Sequence, residues 1–291
     1  MADMAKPGPS PLVVIRSLIY FAVFYIVTAL YLVLGSWLLL GPRRWAMKGL
    51  ELHGRTCVWL LGLICGTKLQ VRGQQYVPKS GCLVIAKHQS AWDTFGLISL
   101  FRDPAIVLKD ELKWIPFYGW FCVKFEHILV KREKASAALK ALIRDARQRV
   151  GIGREVVIFP EGTRTVPGAP PDYKPGYVAL YEALNVVTVP MALNSGLFWP
   201  RRSLWRYPGT IVVEFLPSLP PGLPRAEFRS RIETAIEDAS LRLIKEAAMA
   251  PSPRSCSATP RRTGPSPSTA TRMAPSLPSR GPCKAAATPW W

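Results

Sequence analysis

The chain has 291 residues, of which 49% are apolar, and its 38 basic and 19 acidic residues give a formal net charge of +19. This length allows one α/β domain with additional segments, and the charge indicates an anionic partner, either nucleic acid or a membrane surface. The six cysteines form no C-x-x-C pair and have no zinc-ligand spacing, so we expect free thiols and no metal site.

The first predicted element is an apolar helix near the N-terminus. Residues 17–40 contain no charged side chain, and as a helix they would be about 36 Å long, which exceeds the ~30 Å hydrocarbon core of a bilayer. The apolar run is longer than that of a secretory signal peptide, and no A-x-A-like cleavage site follows it. These features predict an uncleaved membrane anchor.

A second, shorter apolar patch at 56–67 predicts a buried helix or the second arm of a membrane hairpin. Between the two patches lie four basic residues: Arg43, Arg44, Lys48 and Arg55. Positive residues favour the cytoplasmic side of a membrane. We therefore expect residues 1–68 to anchor the chain, with the remainder in the cytoplasm facing anionic headgroups.

From about residue 69 the pattern changes to short apolar runs separated by helical segments. Strands are predicted at 81–87, 104–108, 128–130, 155–159, 186–191 and 210–215, and helices at 92–101, 134–150, 175–184 and 225–248. The alternation predicts an α/β domain over residues 69–250, with a mixed, largely parallel sheet flanked by helices. Residues 251–291, rich in proline, serine and arginine, are predicted to be a disordered tail.

A histidine and an aspartate follow the strand predicted at 81–87. His88 stands at the strand end and Asp93 lies five residues later, so the carboxylate could fold back onto the imidazole, fix its tautomer and raise its basicity. A packed histidine beside an aspartate that caps a helix is the alternative. Backbone N–H groups at the start of the predicted helix could stabilise an oxyanion.

A second motif, Phe-Pro-Glu-Gly-Thr-Arg at 159–164, follows another predicted strand. Gly162 lets the backbone approach a ligand, and Arg164 offers a planar fork suited to phosphate. Glu161 could orient a hydroxyl or hold Arg164 in place. An ordinary turn with a surface ion pair is the alternative.

Together these motifs resemble those of the 1-acylglycerol-3-phosphate (lysophosphatidate) acyltransferase family over roughly residues 69–220. The first block carries His88 and Asp93, with Lys87 where asparagine is usual. The second block is blurred and ends in Lys131 and Arg132, the lysine standing where an acidic residue is common. The third block is complete at 159–164, and the fourth corresponds to 189–196.

The resemblance implies a glycerolipid acyltransferase fold and transfer of a fatty acyl group to the sn-2 hydroxyl of lysophosphatidate in phospholipid biosynthesis. It implies His88 as the general base and Asp93 as its orienting partner, with direct transfer and no acyl-enzyme. It also implies substrate binding by Glu161, Gly162, Thr163, Arg164, Arg132 and Lys109. No cofactor is expected; acyl-CoA or an acyl carrier protein thioester would be the co-substrate.

The implied partners are membrane lipids, including lysophosphatidate and anionic headgroups, with acyl carrier protein as a further candidate and no nucleic acid. The implied location is the cell inner membrane, with the catalytic domain facing the cytoplasm. The aromatic segment at 114–120 could line an acyl-chain tunnel or lie at the level of the headgroups.

Two alternatives remain open at this point. An acyltransferase of the same family could act on another lysolipid, such as a lyso-ornithine lipid, and the unusual Lys87 and Lys131 keep that acceptor under consideration. A non-enzymatic basic protein that binds membranes or nucleic acid is supported only by the net charge. The predicted anchor, and the lack of a basic helix interleaved with aromatic residues, argue against nucleic acid.

Overall fold

The computed structural model describes residues 8–131 and 135–249. The tail predicted at 251–291 lies outside the described residues, and so does Arg132.

Two long helices open the described chain. Helix α1 (Pro11–Leu34) begins with proline at its first position, and the Ser10 side chain accepts the N–H of Val13 at 3.4 Å, both common features of helix starts. After a 3-10 turn at Ser36–Leu39, α2 (Arg43–Cys65) ends at Gly66 in the left-handed conformation. The predicted patch at 56–67 is thus the second half of a longer helix.

The basic residues predicted to connect the two apolar patches lie on α2 itself. Arg43, its first residue, donates from Nη1 to Asp103 at 2.8 Å. This ion pair is directed into the protein, so Arg43 ties the start of α2 to the segment before the third strand.

Seven strands form one sheet: β1 (Thr67–Arg72), β2 (Cys82–Ala86), β3 (Pro104–Lys109), β4 (Ile128–Val130), β5 (Glu155–Ile158), β6 (Thr188–Leu193) and β7 (Gly209–Phe215). Their order is β1-β7-β6-β2-β5-β3-β4, and among neighbours only β6 and β7 are antiparallel. The predicted mixed, largely parallel sheet flanked by helices is confirmed. Strand β1 was not predicted, because its alternating Thr-Lys-Leu-Gln-Val-Arg lacks a continuous apolar run.

Five further helices complete the described fold: α3 (Tyr118–Lys124), α4 (Ala135–Gly151), α5 (Gly176–Leu184), α6 (Ser195–Phe198) and α7 (Arg225–Met249). The helix predicted at 92–101 is wrong: two 3-10 turns, Trp92–Thr94 and Ile98–Leu100, occupy this segment. Glycine weakens helices, and the Trp92 indole fills the space beside Gly96, within 2.3 Å of where a Cβ would lie.

The sheet is covered on both faces. Helices α1 and α2 and the 92–101 segment share one apolar core with it, including Tyr20, Cys57, Leu61 and Trp92, while α4, α5 and α7 pack on the other face. The predicted boundary between the anchor and the α/β domain, at residue 68, falls within β1. Helices α1 and α2 share an apolar core with the sheet to which this strand belongs. Four described cysteines are buried free thiols: Cys57, Cys65, Cys82 and Cys122.

Candidate active site

The two predicted motifs meet at one edge of the sheet. Strand β2 is the parallel neighbour of both β5 and β6. The residues that follow these strands therefore emerge side by side, at the carboxyl edge where open α/β sheets bind ligands. His88 follows β2, the 159–164 motif follows β5, and Ser195 follows β6.

Asp93 is completely buried and holds His88 in a fixed orientation. Its Oδ2 lies 2.9 Å from His88 Nδ1 and also accepts the backbone N–H groups of Gln89 and Ser90 at 2.8 and 2.9 Å. Ser195 donates its hydroxyl to Oδ1 at 2.6 Å. A carboxylate fixed by so many donors can orient the imidazole. The backbone N–H groups of Gln89 and Ser90 are occupied by this role.

The opposite edge of the imidazole faces a cleft. The ring stacks on Phe159 with centroids 4.2 Å apart, and Nε2 bonds to none of the described residues. When Nδ1 carries the proton shared with Asp93, Nε2 presents a lone pair to the cleft that His88 lines. This arrangement suits removal of a proton from a bound hydroxyl.

The 159–164 motif fixes the backbone of His88. Thr165 donates its N–H to the His88 carbonyl at 2.8 Å, and its hydroxyl oxygen lies 3.1 Å from the same carbonyl. Glu161 accepts the His88 N–H at 3.3 Å and the Thr165 hydroxyl at 3.1 Å. Glu161 lines the cleft, and its carboxylate makes no contact with Arg164.

Lys87 lies in a buried ion network behind the site. Its Nζ is 2.9 Å from Glu161 Oε1 and 2.6 Å from Glu237 Oε1 on α7, and Tyr173 donates to the same Glu237 oxygen at 2.8 Å. Burial, followed by the nearby Glu237 carboxylate, raises the pKa of Tyr173. Lys87 does not line the cleft. The lysine at this position, where asparagine is usual, therefore stabilises the buried side of the site and does not contact a ligand in the cleft.

The cleft has a volume of about 910 Å³, and both basic and apolar side chains line it. His88 and five predicted substrate-binding residues line it together: Lys109, Glu161, Gly162, Thr163 and Arg164. Arg164 makes no ion pair with a described residue. Three further basic residues, which were not predicted, also line the cleft: Lys174, Arg201 and Arg202. Among residues 8–131 and 135–249, no group of three His, Cys, Asp or Glu side chains is placed to hold a metal.

An apolar cavity of about 580 Å³ adjoins this cleft, and α1, α2, α3 and β3 enclose it. Thr94 and Leu108 line both spaces. Of the aromatic segment at 114–120, Tyr118 lines the apolar cavity, whereas Trp114 and Trp120 are exposed.

Ser195 is the main site residue that the sequence did not reveal. It lies in the fourth motif block, but its contact with Asp93 joins positions 102 residues apart. The signal that could have identified it is its place directly after β6, the strand beside β2.

We expect Ser195→Ala to lower the free energy of unfolding by about 1.5–3 kcal/mol, because hydrogen bonds to buried charged groups contribute that much. Ser99→Ala is a matched control, since its hydroxyl donates to the uncharged carbonyl of Gly96 at 3.2 Å. Urea unfolding in detergent measures both. A loss no larger than that of Ser99→Ala would show that Ser195 contributes little to fixing Asp93.

The chain is similar to known acyltransferases. Residues 68–194 match the family model described as Acyltransferase. The chain is 36% identical over 165 residues to a 1-acyl-sn-glycerol-3-phosphate acyltransferase of Pseudomonas aeruginosa, covering 57% of this chain and 64% of that protein. It is 29% identical over 164 residues to the protein of the same name from Cocos nucifera, covering 56% and 52%. The chain thus spans less than two thirds of these curated relatives.

The fold also resembles a solved structure, the 1-acyl-sn-glycerophosphate (LPA) acyltransferase PlsC from Thermotoga maritima. The TM-score is 0.68 at 22% identity, with 79% of this chain and 97% of that chain covered. This likeness covers a larger share of the chain than the matched residues 68–194 do.

Proposed function

We propose that this chain, whose residues 68–194 match the Acyltransferase family model, transfers a fatty acyl group from an acyl thioester to the sn-2 hydroxyl of lysophosphatidate. The product would be phosphatidate, an intermediate of phospholipid biosynthesis. The observation that carries the proposal is the oriented His88–Asp93 pair beside a cleft that Arg164 lines without an ion pair to any described residue.

The His88–Asp93 pair supplies the proton transfers. Nε2 of His88 takes the hydroxyl proton as the acceptor oxygen attacks the thioester carbonyl, and Asp93 stabilises the imidazolium that forms. The tetrahedral intermediate then collapses, the carbon–sulfur bond breaks, and the imidazolium returns the proton to the departing sulfur. Histidine is regenerated, so no acyl-enzyme is required. The donor thiol would be coenzyme A or acyl carrier protein.

Basic residues of the cleft would hold the acceptor. Arg164 and Lys109 lie in the same cleft as His88, and a guanidinium can bind a phosphate through two parallel hydrogen bonds. The lysine at position 87, where asparagine is usual, was one reason to consider an acceptor without a phosphate. Its side chain binds Glu161 and Glu237 in the interior. Its identity therefore gives no support to a lyso-ornithine lipid acceptor.

The adjoining apolar cavity would hold an acyl chain. Its lining is almost wholly apolar, and it meets the cleft at Thr94 and Leu108. An acyl chain placed there would extend away from His88 between α1, α2 and β3. Its removal from water would stabilise the bound state by roughly 0.8 kcal/mol for each buried methylene.

The N-terminal region would associate with a membrane. Helix α1 is long and apolar enough to cross a bilayer. An 18-residue window within it has a mean hydropathy of 2.3, and only 11% of the residues in this window are buried. Exposed apolar side chains continue on α2 at Trp45, Leu52, Trp59 and Leu63. We propose attachment to the cell inner membrane with the cleft facing the cytoplasm. Exposed Trp114 and Trp120 suit the level of the headgroups.

Substitution of Arg164 tests the acceptor assignment. We expect Arg164→Gln to raise KM for lysophosphatidate about 10- to 100-fold with little change in kcat, because charge-assisted hydrogen bonds contribute roughly 1.5–3 kcal/mol. The KM for a lyso-ornithine lipid should not change. Steady-state kinetics with both acceptors measures the difference.

The matched control is Arg144→Gln, which removes one positive charge from the exposed side of α4. Equal effects on both acceptors would show that Arg164 does not bind the acceptor phosphate. If the wild-type protein has a higher kcat/KM for the lyso-ornithine lipid than for lysophosphatidate, the lyso-ornithine lipid becomes the proposed substrate.

A further inference from the structure

Another cavity, of about 420 Å³, lies between α1 and the loop at 199–206, and we call it the α1 cavity. Tyr20 and Tyr25 of α1 line one side and Trp199 of the loop lines another. Four arginines complete the lining, and none of the described residues that line it is an Asp or Glu: Arg164, Arg201, Arg202 and Arg206. Arg164, Arg201 and Arg202 also line the cleft, whereas Arg206 lines the α1 cavity and not the cleft. Such a concentration of one charge indicates an anionic ligand.

Arg206 is the buried member of this group, with only 6% of its surface exposed. Its guanidinium stacks on Trp199 at 3.7 Å, and Nη1 donates to the carbonyls of Ser203 and Trp205 at 2.8 and 3.1 Å. Nε has no acceptor among the described residues. The backbone N–H of Arg206 donates to Ser17 of α1 at 2.8 Å, which fixes the loop against the helix.

Arg154, the other buried arginine among the described residues, has different partners. Arg154 is 1% exposed and lies 3.2 Å from carboxylate oxygens of both Asp103 and Glu126. Arg206 has no such carboxylate partner among the described residues. Burial lowers the pKa of Arg206 to about 10, so the side chain is still charged at neutral pH. A buried charge without an oppositely charged partner is costly, and an anion entering the cavity would offset that cost.

We propose that the α1 cavity is a second phosphate-binding site, in which Arg206, with Arg201 and Arg202, binds the headgroup phosphate of an anionic membrane phospholipid. A guanidinium matches the geometry of a phosphate. The cavity is bounded by α1, the helix with the most exposed apolar surface, so a lipid beside this helix has its headgroup within reach. The proposal rests on the proposed function only in taking α1 to be membrane-associated.

Binding can be tested without turnover in full-length His88→Ala protein in detergent. The probes are a short-chain phosphatidylglycerol, the diacylglycerol with the same acyl chains, and inorganic phosphate, each titrated by calorimetry. We expect phosphatidylglycerol to bind, diacylglycerol not to bind, and inorganic phosphate to bind more weakly than the phospholipid. Inorganic phosphate binding at least as tightly as phosphatidylglycerol would overturn the lipid assignment in favour of a soluble phosphate.

Two variants test the residues. Arg206→Lys keeps the charge but loses the planar fork, and Arg201→Gln/Arg202→Gln leaves the buried arginine in place. Each should weaken phosphatidylglycerol binding about tenfold, as expected for loss of a charge-assisted hydrogen bond. Arg201 and Arg202 also line the cleft, so Lys109→Gln, which alters the cleft and not the α1 cavity, is compared with the double variant. If Arg206→Lys fails to fold, as judged by circular dichroism, the double variant supports the α1 cavity only if it weakens phosphatidylglycerol binding more than Lys109→Gln does, and equal weakening overturns the proposal.

The matched control is Arg144→Gln/Arg231→Gln, which removes two positive charges from α4 and α7 on the other face of the sheet. It should bind phosphatidylglycerol as the parent protein does. Equal weakening in this control and in Arg201→Gln/Arg202→Gln would show general charge attraction and overturn the site. Unchanged binding in the α1-cavity variants would also overturn it. Because His88→Ala is the parent protein, neither result depends on acyl transfer.

Discussion

His88→Ala is expected to lower kcat for acyl transfer about 10²- to 10⁴-fold, the usual contribution of a general base. The KM for lysophosphatidate should change little, because Arg164 and Lys109, which would bind the phosphate, lie on other strand ends of the same cleft. The loss follows from the geometry: Nε2 of His88 is the cleft-facing base, and Asp93 is fixed behind it by three further donors.

Initial rates over a range of lysophosphatidate concentrations separate kcat from KM. Thermal unfolding of the same preparation shows whether the variant is folded. A folded His88→Ala protein that retains the full rate would exclude His88 as the base, whatever the acceptor is.

Lys87→Met is expected to lower the free energy of unfolding by about 3–5 kcal/mol, the usual cost of removing one partner of a buried ion pair. The Lys87 and Glu161 side chains are 2% and 0% exposed, so the substitution would leave Glu161 and Glu237 in the interior without their cation. Because Glu161 also binds the His88 N–H and Thr165, the site should loosen as well. Urea unfolding in detergent measures the stability change.

Lys113→Met provides the control for Lys87→Met. Lys113 binds Asp110 at 2.8 Å in a pair whose side chains are 26% and 15% exposed, so its removal should cost about 1 kcal/mol or less. The double variant Lys87→Met/Glu161→Gln should recover part of the loss, because it leaves one fewer unpaired carboxylate. Equal losses for Lys87→Met and Lys113→Met would contradict the role given to the buried network.

The sequence was sufficient for the parts of the fold that depend on local pattern. Continuous apolar runs identified β2, β5 and β6, and the residues directly after β2 and β5 gave His88, Asp93 and the 159–164 motif. Local pattern failed at 92–101, where tight turns buried against the sheet replace the predicted helix. It also missed β1, an edge strand with polar residues at alternate positions.

Contacts between distant positions could not be predicted from one sequence. Lys87 meets Glu237 across 150 residues, and Ser195 meets Asp93 across 102. Arg206 looks like one of many surface arginines in a chain of this charge. Its burial beside α1 arises only because Ser17 and Trp199 bring the loop against that helix. These are tertiary contacts, and no local propensity specifies them.

The most direct test of the proposed function is product formation by the wild-type protein. Purified full-length protein in detergent is given a labelled acyl thioester, on coenzyme A or on acyl carrier protein, with lysophosphatidate or a lyso-ornithine lipid as acceptor. The proposal predicts labelled phosphatidate, with the new acyl group at the sn-2 position. Failure to acylate either acceptor from either donor would contradict it.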